Sequence, residues 1–217
     1  MYPIKTSITL YDAVTPVAVT SSTDATPIVV TASSHGFTNG QRVLIYGHTT
    51  NIAANGIFKV VAVTTNTFAL VDEITGANVA GSGSGAGSSG LVLLAPPVIH
   101  CSDFRNIVLQ LGTSGTATTT LKIAGSIGKT PASASGARAV FPNFGATVSP
   151  SNPYSFLQSI NLDTAAAVNG ATGLVVGGSD VNLMCEVNVN AMVYLTVFPI
   201  TWSQGAITLK AICVTNA

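Results

Sequence analysis

Charge is scarce in this chain. Eight Lys and Arg and eight Asp and Glu make up 7% of its 217 residues and cancel to a formal net charge of zero, where an ordinary domain carries about 25% charged residues. Nucleic acids and anionic membrane surfaces recruit proteins through basic patches, and a formal charge of zero argues against one here. Aromatics are sparse too, at 6% with one Trp, thin for the aromatic girdles of a transmembrane barrel. A spanning helix needs about 20 consecutive apolar residues, and the best run, LVLLAPPVI at 91–99, is short and broken by two prolines. The opening MYPIKTSITLYDA lacks the basic head and apolar core expected of a signal peptide. Cysteine is confined to Cys101, Cys185 and Cys213, an odd number without a CxxC or metal-ligand spacing. Small buried side chains in strands are the expectation for all three, in a chain assembled in a reducing cytoplasm.

What is present is apolar and neutral. Hydrophobic residues reach 47% and mean hydropathy is +0.52, which excludes the apolar-poor, highly charged composition of disorder. The polar remainder is Ser, Thr, Asn, Gly and Ala rather than charge. Such a surface tends to self-associate, so the chain is expected to be packed against other chains.

Strand signals run almost throughout. In VNLMCEVNVNAMVYLTVFPI, Val181, Leu183, Cys185, Val187, Val189, Ala191, Val193, Leu195 and Val197 share one parity. Asn182, Glu186, Asn188, Asn190, Tyr194 and Thr196 take the other, interrupted by Met184, Met192 and Phe198. A period of two places one face in a core, and the length predicts two strands divided near NVNAM. AITLKAICVTNA alternates with Ile207, Leu209, Ala211 and Cys213 inward. NIVLQLGT and TTTLKIAGSI form a candidate pair turning at TSGTA, and DTAAAVNG is at most a short helical turn. The fold class is therefore all-β.

Composition divides the chain. GANVAGSGSGAGSSG, residues 76–90, is low-complexity and reads as a flexible stalk. The polar stretch SSTDATP marks a second boundary. A compact module at 23–94 is thus expected, with residues 1–22 and 95–217 forming a β-sandwich around it or beside it. Loop tips tolerate insertion, so insertion and tandem arrangement are both open.

The segment ATPIVVTASSHGFTNGQRVLIYGHTTNIAANGIFKVVAVTTNTFALVD resembles a small β-barrel module of tailed-phage structural proteins, often labelled after a domain of ubiquitin-activating enzymes. The matching residues are His35-Gly36-Phe37, Gly40, Val43 to Tyr46, Gly47, Ala54-Asn55-Gly56, Phe58 and Asn66-Thr67-Phe68. Asn39-Gly40 and Asn55-Gly56 are hairpin-favouring dipeptides, Gly36 and Gly47 suit tight corners, and Phe37, Phe58 and Phe68 supply a small aromatic core. KTSITLYDAVT, SDFRNIVLQLGTSGTATTTLKIAGSI, NPYSFLQSINLDTAAAVNGATG and DVNLMCEVNVNAMVYLTVF are similar, in pattern and order, to a β-sandwich of short phage virion proteins. In those the first strand is followed almost at once by the equivalent of DFRNIVLQL, whereas here some 80 residues intervene. The resemblance therefore favours insertion of the barrel after the first strand.

Chemistry-bearing patterns are weak. Gly85 to Gly90 formally fits GxGxxG, but a Gly/Ser run precedes it and a strand-like run follows, so it lacks the context of a dinucleotide site. His35 fits a turn or core edge, and His100 and Cys101 point to opposite faces of a strand, so no metal site is expected. Asp72-Glu73 reads as an exposed turn, and Asp103 with Arg105 as an ion pair at a sheet edge. No nucleophile elbow, Ser/His/Asp pattern or phosphate loop occurs. No enzymatic activity, cofactor or catalytic residue is expected. Trp202, Tyr154, Phe156 and Tyr194 are candidates for a sugar-stacking platform, though aromatics more often pack cores and interfaces.

The resemblance implies a virion structural protein, foremost a capsid decoration or cement protein bridging capsomers on the outer shell. The partners it implies are the chain itself, as a homotrimer, and the major capsid protein or other virion proteins, with assembly in the host cytoplasm. A neck or tail adaptor, a short fibre, or a host-glycan binding module are the alternatives. Neither nucleic acid nor membrane is an expected partner. The expected contact residues are Met184, Met192, Phe198, Trp202, Ile212 and Val214, apolar side chains on the terminal strands that would need cover.

Overall fold

The structure is a computed structural model that describes residues 5–73, 75–83, 85–114, 118–126, 154–177, 182–190 and 192–215. Among these residues the chain is all-β, with eighteen strands and one 3-10 turn at Ile52–Ala54. DTAAAVNG forms a turn leading into a two-residue strand instead of a helical turn. The residues fall into two compact units. One is Pro16–Ala95; the other comprises described residues of Met1–Thr15, Pro96–Thr130 and Pro153–Ala217.

The discontinuous unit is a sandwich of two antiparallel sheets. The first runs β1 (Lys5–Val14), β18 (Ile207–Thr215), β10 (Phe104–Thr113), β16 (Asn182–Asn188), β13 (Ser159–Asn161), β14 (Ala167–Val168). The second runs β12 (Tyr154–Phe156), β11 (Thr119–Ser126), β17 (Tyr194–Trp202), β9 (Ile99–His100), with β15 (Leu174–Val176) also paired to β11. Alternation decides the inner faces. Ile107, Leu109, Leu111, Cys185, Val187, Ile207, Leu209, Ala211 and Cys213 are buried in the first sheet, as are Leu121, Ile123, Leu195 and Val197 in the second. The buried Tyr11 of β1 crosses between the sheets to donate its hydroxyl to Val197 O at 3.0 Å. The chain divides between β16 and β17 where NVNAM predicts it. The expected β10–β11 hairpin does not form, because β10 pairs with β16 and β18 while β11 pairs with strands of the other sheet. These two sequence neighbours instead carry the chain from one sheet to the other.

The Pro16–Ala95 unit is barrel-like. Its ladder runs β2 (Val17–Ala18), β8 (Leu91–Leu94), β5 (Arg42–Tyr46), β6 (Gly56–Val61), β7 (Thr67–Val71), β4 (Val29–Thr31), β3 (Ser21–Ser22). The two ends, β2 and β3, are halves of one segment, 17–22, so the sheet returns to itself. Closure removes the open edges that would otherwise pair with other chains. Phe58 and Phe68 are fully buried among Ile28, Val30, Val43, Ile45, Val60, Leu70 and Val92. Phe37 packs at the rim, its ring 5.7 Å from Phe68. Gly36, Gly40, Gly47 and Gly56 all have positive φ, but neither Asn-Gly dipeptide makes a two-residue hairpin. Gly40 precedes β5, which does not pair with β4, and a nine-residue connection ending at Asn55 separates β5 from β6.

The Gly/Ser stretch does not hang free as a stalk. It lies along the barrel: Val79 is buried, Ile28 N donates to Val79 O, and Ser22 and Gly87 exchange two 2.9 Å hydrogen bonds. Some of its glycines, Gly81 and Gly87 among them, are required by space. A Cβ at Gly81 would lie 2.0 Å from Asp24 Oδ1, and one at Gly87 would lie 2.5 Å from both His48 Nδ1 and Ser22 Oγ. Low complexity here records close backbone approach.

Candidate functional site

The outer face of the six-stranded sheet brings together Ile160, Leu162 and Met184, three of the exposed large hydrophobic side chains. Register alignment builds it in rows. Ser7, Ile212, Val108, Glu186, Ile160 and Ala167 form one row across all six strands. Val214, Asn106 and Asn188 form the next on one side. Lys210, Gln110 and Met184 form the next on the other, extended by Leu162, whose amide donates to Met184 O at 2.9 Å. Ile160 is 48% exposed, Leu162 41% and Met184 40%, while Val108, Ile212 and Val214 are half-buried.

The polar side chains on this face are largely self-satisfied. Asn106 Nδ2 donates to Glu186 Oε1, and Gln110 Nε2 donates to Asn182 Oδ1 at 3.3 Å. Lys210 and Glu186 are its charged residues among the rows just described. A cleft of about 480 Å³ lies between Asn106, Glu186 and Asn188 on one side and Gln158, Ser159, Ile160 and Ala167 on the other. Such a face offers apolar area and mostly neutral hydrogen-bonding groups, with Glu186 bordering the cleft.

Three of the six expected contact residues, Met184, Ile212 and Val214, come together on this face. The other three do not. Phe198 is a correction: it is fully buried, with the Phe156 ring 6.3 Å away and Lys122 Nζ 4.4 Å above that ring. The alternation rule assumes one solvated face, and β17 is buried on both from Leu195 to Pro199. Met192 is half-buried and turns inward, its Sδ 2.7 Å from where a Cβ on Gly125 would sit. Trp202 is half-buried at the far end of β17, its Nε1 donating to Gly205 O at 3.0 Å. Tyr194 is eight residues along the same strand, about 26 Å away at ~3.3 Å per residue, and packs edge-on to His100 at 5.2 Å. Trp202 and Tyr194 therefore cannot form one stacking platform.

Val108, Ile160 and Leu162 were not foreseen as contact residues. In QSINL the parity is inverted: polar Ser159 is buried while apolar Ile160 and Leu162 face out. Periodicity marks such a strand but does not tell which parity is inside.

The remaining candidates resolve as structure. His35 is buried, stacks on Phe37 at 5.0 Å, and accepts the Phe37 amide at Nδ1, a core-edge role. His100 is exposed and Cys101 buried, on opposite faces as expected. Among the described residues no three His, Cys, Asp or Glu side chains are grouped to hold a metal. Glu73 is not a free turn residue, since Arg42 Nε donates to its carboxylate at 2.7 Å. That is the ion pair found among the described residues; Asp103 and Arg105 are both exposed and do not pair. All three cysteines are buried and free. Burial pushes the Cys101 thiol up to about 12, reinforced by Cys213, and the Cys185 thiol up to about 11. Gly85 to Gly90 leads into β8, with no helix to receive a phosphate.

No family model matches the chain, and no curated protein matches it. Among solved structures it is similar to the PBSX exported protein XepA, with 8% identity and a TM-score of 0.35, over 99% of this chain and 82% of that one.

Proposed function

We propose that this chain is a structural protein of a tailed-phage particle, and more narrowly a decoration or cement protein of the capsid shell. The observation that carries the reading is the outer face of the six-stranded sheet, where exposed Ile160, Leu162 and Met184 lie among mostly uncharged polar side chains. The resemblance of the barrel and sandwich sequences to virion proteins sets the kind of partner. The sandwich lays this face on shell subunits and bridges them.

Covering Ile160, Leu162 and Met184 from their half-exposed state stabilises the contact by roughly 1 kcal/mol each. That is modest for one copy. Linking copies into a homotrimer multiplies it through effective concentration, which is why a trimer with the major capsid protein as partner is the preferred assembly.

Quantitative gel analysis of purified particles tests this directly. Decoration requires hundreds of copies per particle; a dozen or fewer moves the chain to the neck, tail or a fibre, and absence from particles ends the proposal. The double variant Ile160→Lys, Met184→Lys should keep the circular dichroism of the parent and be lost from the particles.

A further inference from the structure

His48 stands out as a buried imidazole without a hydrogen-bond partner. It follows β5 and the Gly47 corner, and both of its main-chain groups are fixed: its N–H donates to Asn55 Oδ1 at 3.0 Å, and Asn55 Nδ2 donates to its carbonyl at 2.8 Å. The ring cannot leave its slot by a backbone shift without breaking that pair. It is 4% exposed, and neither ring nitrogen has a hydrogen-bond partner. The glycine strap, residues 81–83 and 85–90, passes over it at Gly87 and Gly90. A Cβ on Gly87 would meet Nδ1 at 2.5 Å, and one on Gly90 would meet Nε2 at 3.5 Å.

The strap is held by a short series of bonds. Gly81 N donates to Ala25 O and Ser82 N to Asn51 Oδ1, while Gly83 N and Gly85 N donate to the two carboxylate oxygens of Asp24. Gly87 pairs with Ser22, and Val19 N donates to Gly90 O. Few apolar side chains reinforce these bonds, which puts the strap at the low-stability end of the barrel.

We propose that the strap is an acid-released latch, in which protonation of His48 drives the 81–90 segment off the barrel wall. An imidazolium has two donors to satisfy, and in the closed slot neither nitrogen has an acceptor within hydrogen-bond reach. The strap, β8, the 49–56 connection and segment 17–22 carry no ionisable side chain. The neighbouring 23–27 loop carries Asp24, engaged by the strap amides, and β5 carries Tyr46, whose phenol burial keeps un-ionised.

Burial holds His48 below its ordinary value of 6.5. The closed strap therefore binds the proton less readily than the open form, where the ring meets water. Closure is fully stable above 6.5 and loses stability as pH falls from there toward the lowered value. Opening therefore becomes more favourable at pH 5.0 than at pH 7.5, up to the limit of about thirtyfold that a closed form taking no proton would set. Release uncovers His48, Ser22 and Asn51 and leaves part of segment 17–22 as an unpaired strand edge, which is competent to pair with another chain.

Hydrogen exchange on the full chain at pH 7.5, 6.0 and 5.0, corrected for intrinsic rates, tests the latch. The strap amides with Val19 and Ser22 should lose protection as pH falls to 5.0, by up to about thirtyfold, while β5, β6 and β7 hold theirs. His48→Gln should abolish the pH dependence. Unchanged strap protection, a parallel loss across the whole barrel, or the same loss in His48→Gln each overturns the proposal. If that variant does not fold, an NMR titration of the wild-type His48 ring replaces it. A ring midpoint that coincides with strap release supports the latch, and a ring that titrates without strap release overturns it.

Discussion

Gly87→Ala distinguishes an ordered strap from a flexible linker. The added methyl would sit 2.5 Å from both His48 Nδ1 and Ser22 Oγ and 3.0 Å from His48 Cε1. Gly87 is not among the positive-φ glycines, so the effect is one of space and not of backbone conformation. His48 and Ser22 are both buried, and Ser22 Oγ accepts from Asn51 Nδ2 at 3.1 Å, so neither can move aside freely. Overpacking of a filled site costs about 1–3 kcal/mol, and loosening the paired Ser22–Gly87 bonds adds about 1 kcal/mol. The expected total is ~2–4 kcal/mol. Hydrogen exchange reads this as a ~30- to ~1000-fold faster opening of the strap, at tenfold per ~1.4 kcal/mol. The single Trp lies in the sandwich, so Trp fluorescence during denaturation should be the same as in the parent. Ser88→Ala, at an exposed neighbour, should stay within about 0.5 kcal/mol. If Gly87→Ala behaves like Ser88→Ala, the stretch is a tether and the steric reasoning fails.

Two further outcomes follow from burial. Phe198→Ala should destabilise the sandwich by about 3–5 kcal/mol, as for a deleted core aromatic, seen as an earlier Trp transition in denaturant; a change under about 1 kcal/mol would restore Phe198 to the surface. At pH 8 the three cysteines should be silent to a thiol reagent in the folded chain and all react in denaturant, because burial holds Cys101 near about 12 and Cys185 near about 11 and raises Cys213. Rapid labelling of the native protein would contradict that burial.

Period-two alternation was legible wherever a strand keeps one face in a core. Ile207, Leu209, Ala211 and Cys213 on β18 are all inward, and the chain between Cys185 and Leu195 breaks where the pattern is interrupted. The rule failed at β17, where Phe198 is enclosed although its parity is opposite to Val197, because burial on both faces erases the meaning of parity. It failed differently at β13, where Ser159 is inside and Ile160 outside. For a three-residue strand, the neighbouring strands set the facing, and those neighbours are distant in sequence. Of the proposed contact face, Met184, Ile212 and Val214 were readable as apolar residues out of phase, while Ile160 and Leu162 were not.

The all-β class, the neutral surface and the scarcity of chemistry-bearing groups follow from composition and local pattern alone, since propensity, charge count and side-chain alternation are properties of short segments. Strand partners are not. That β10 and β11 part into different sheets, that 17–22 closes the barrel from both ends, and that a Gly/Ser run lies bound to Ser22 and Asp24 depend on segments tens of residues apart. Packing sorts these, through space for a Cβ and partners for each buried backbone group. Composition alone reads the same glycines as slack.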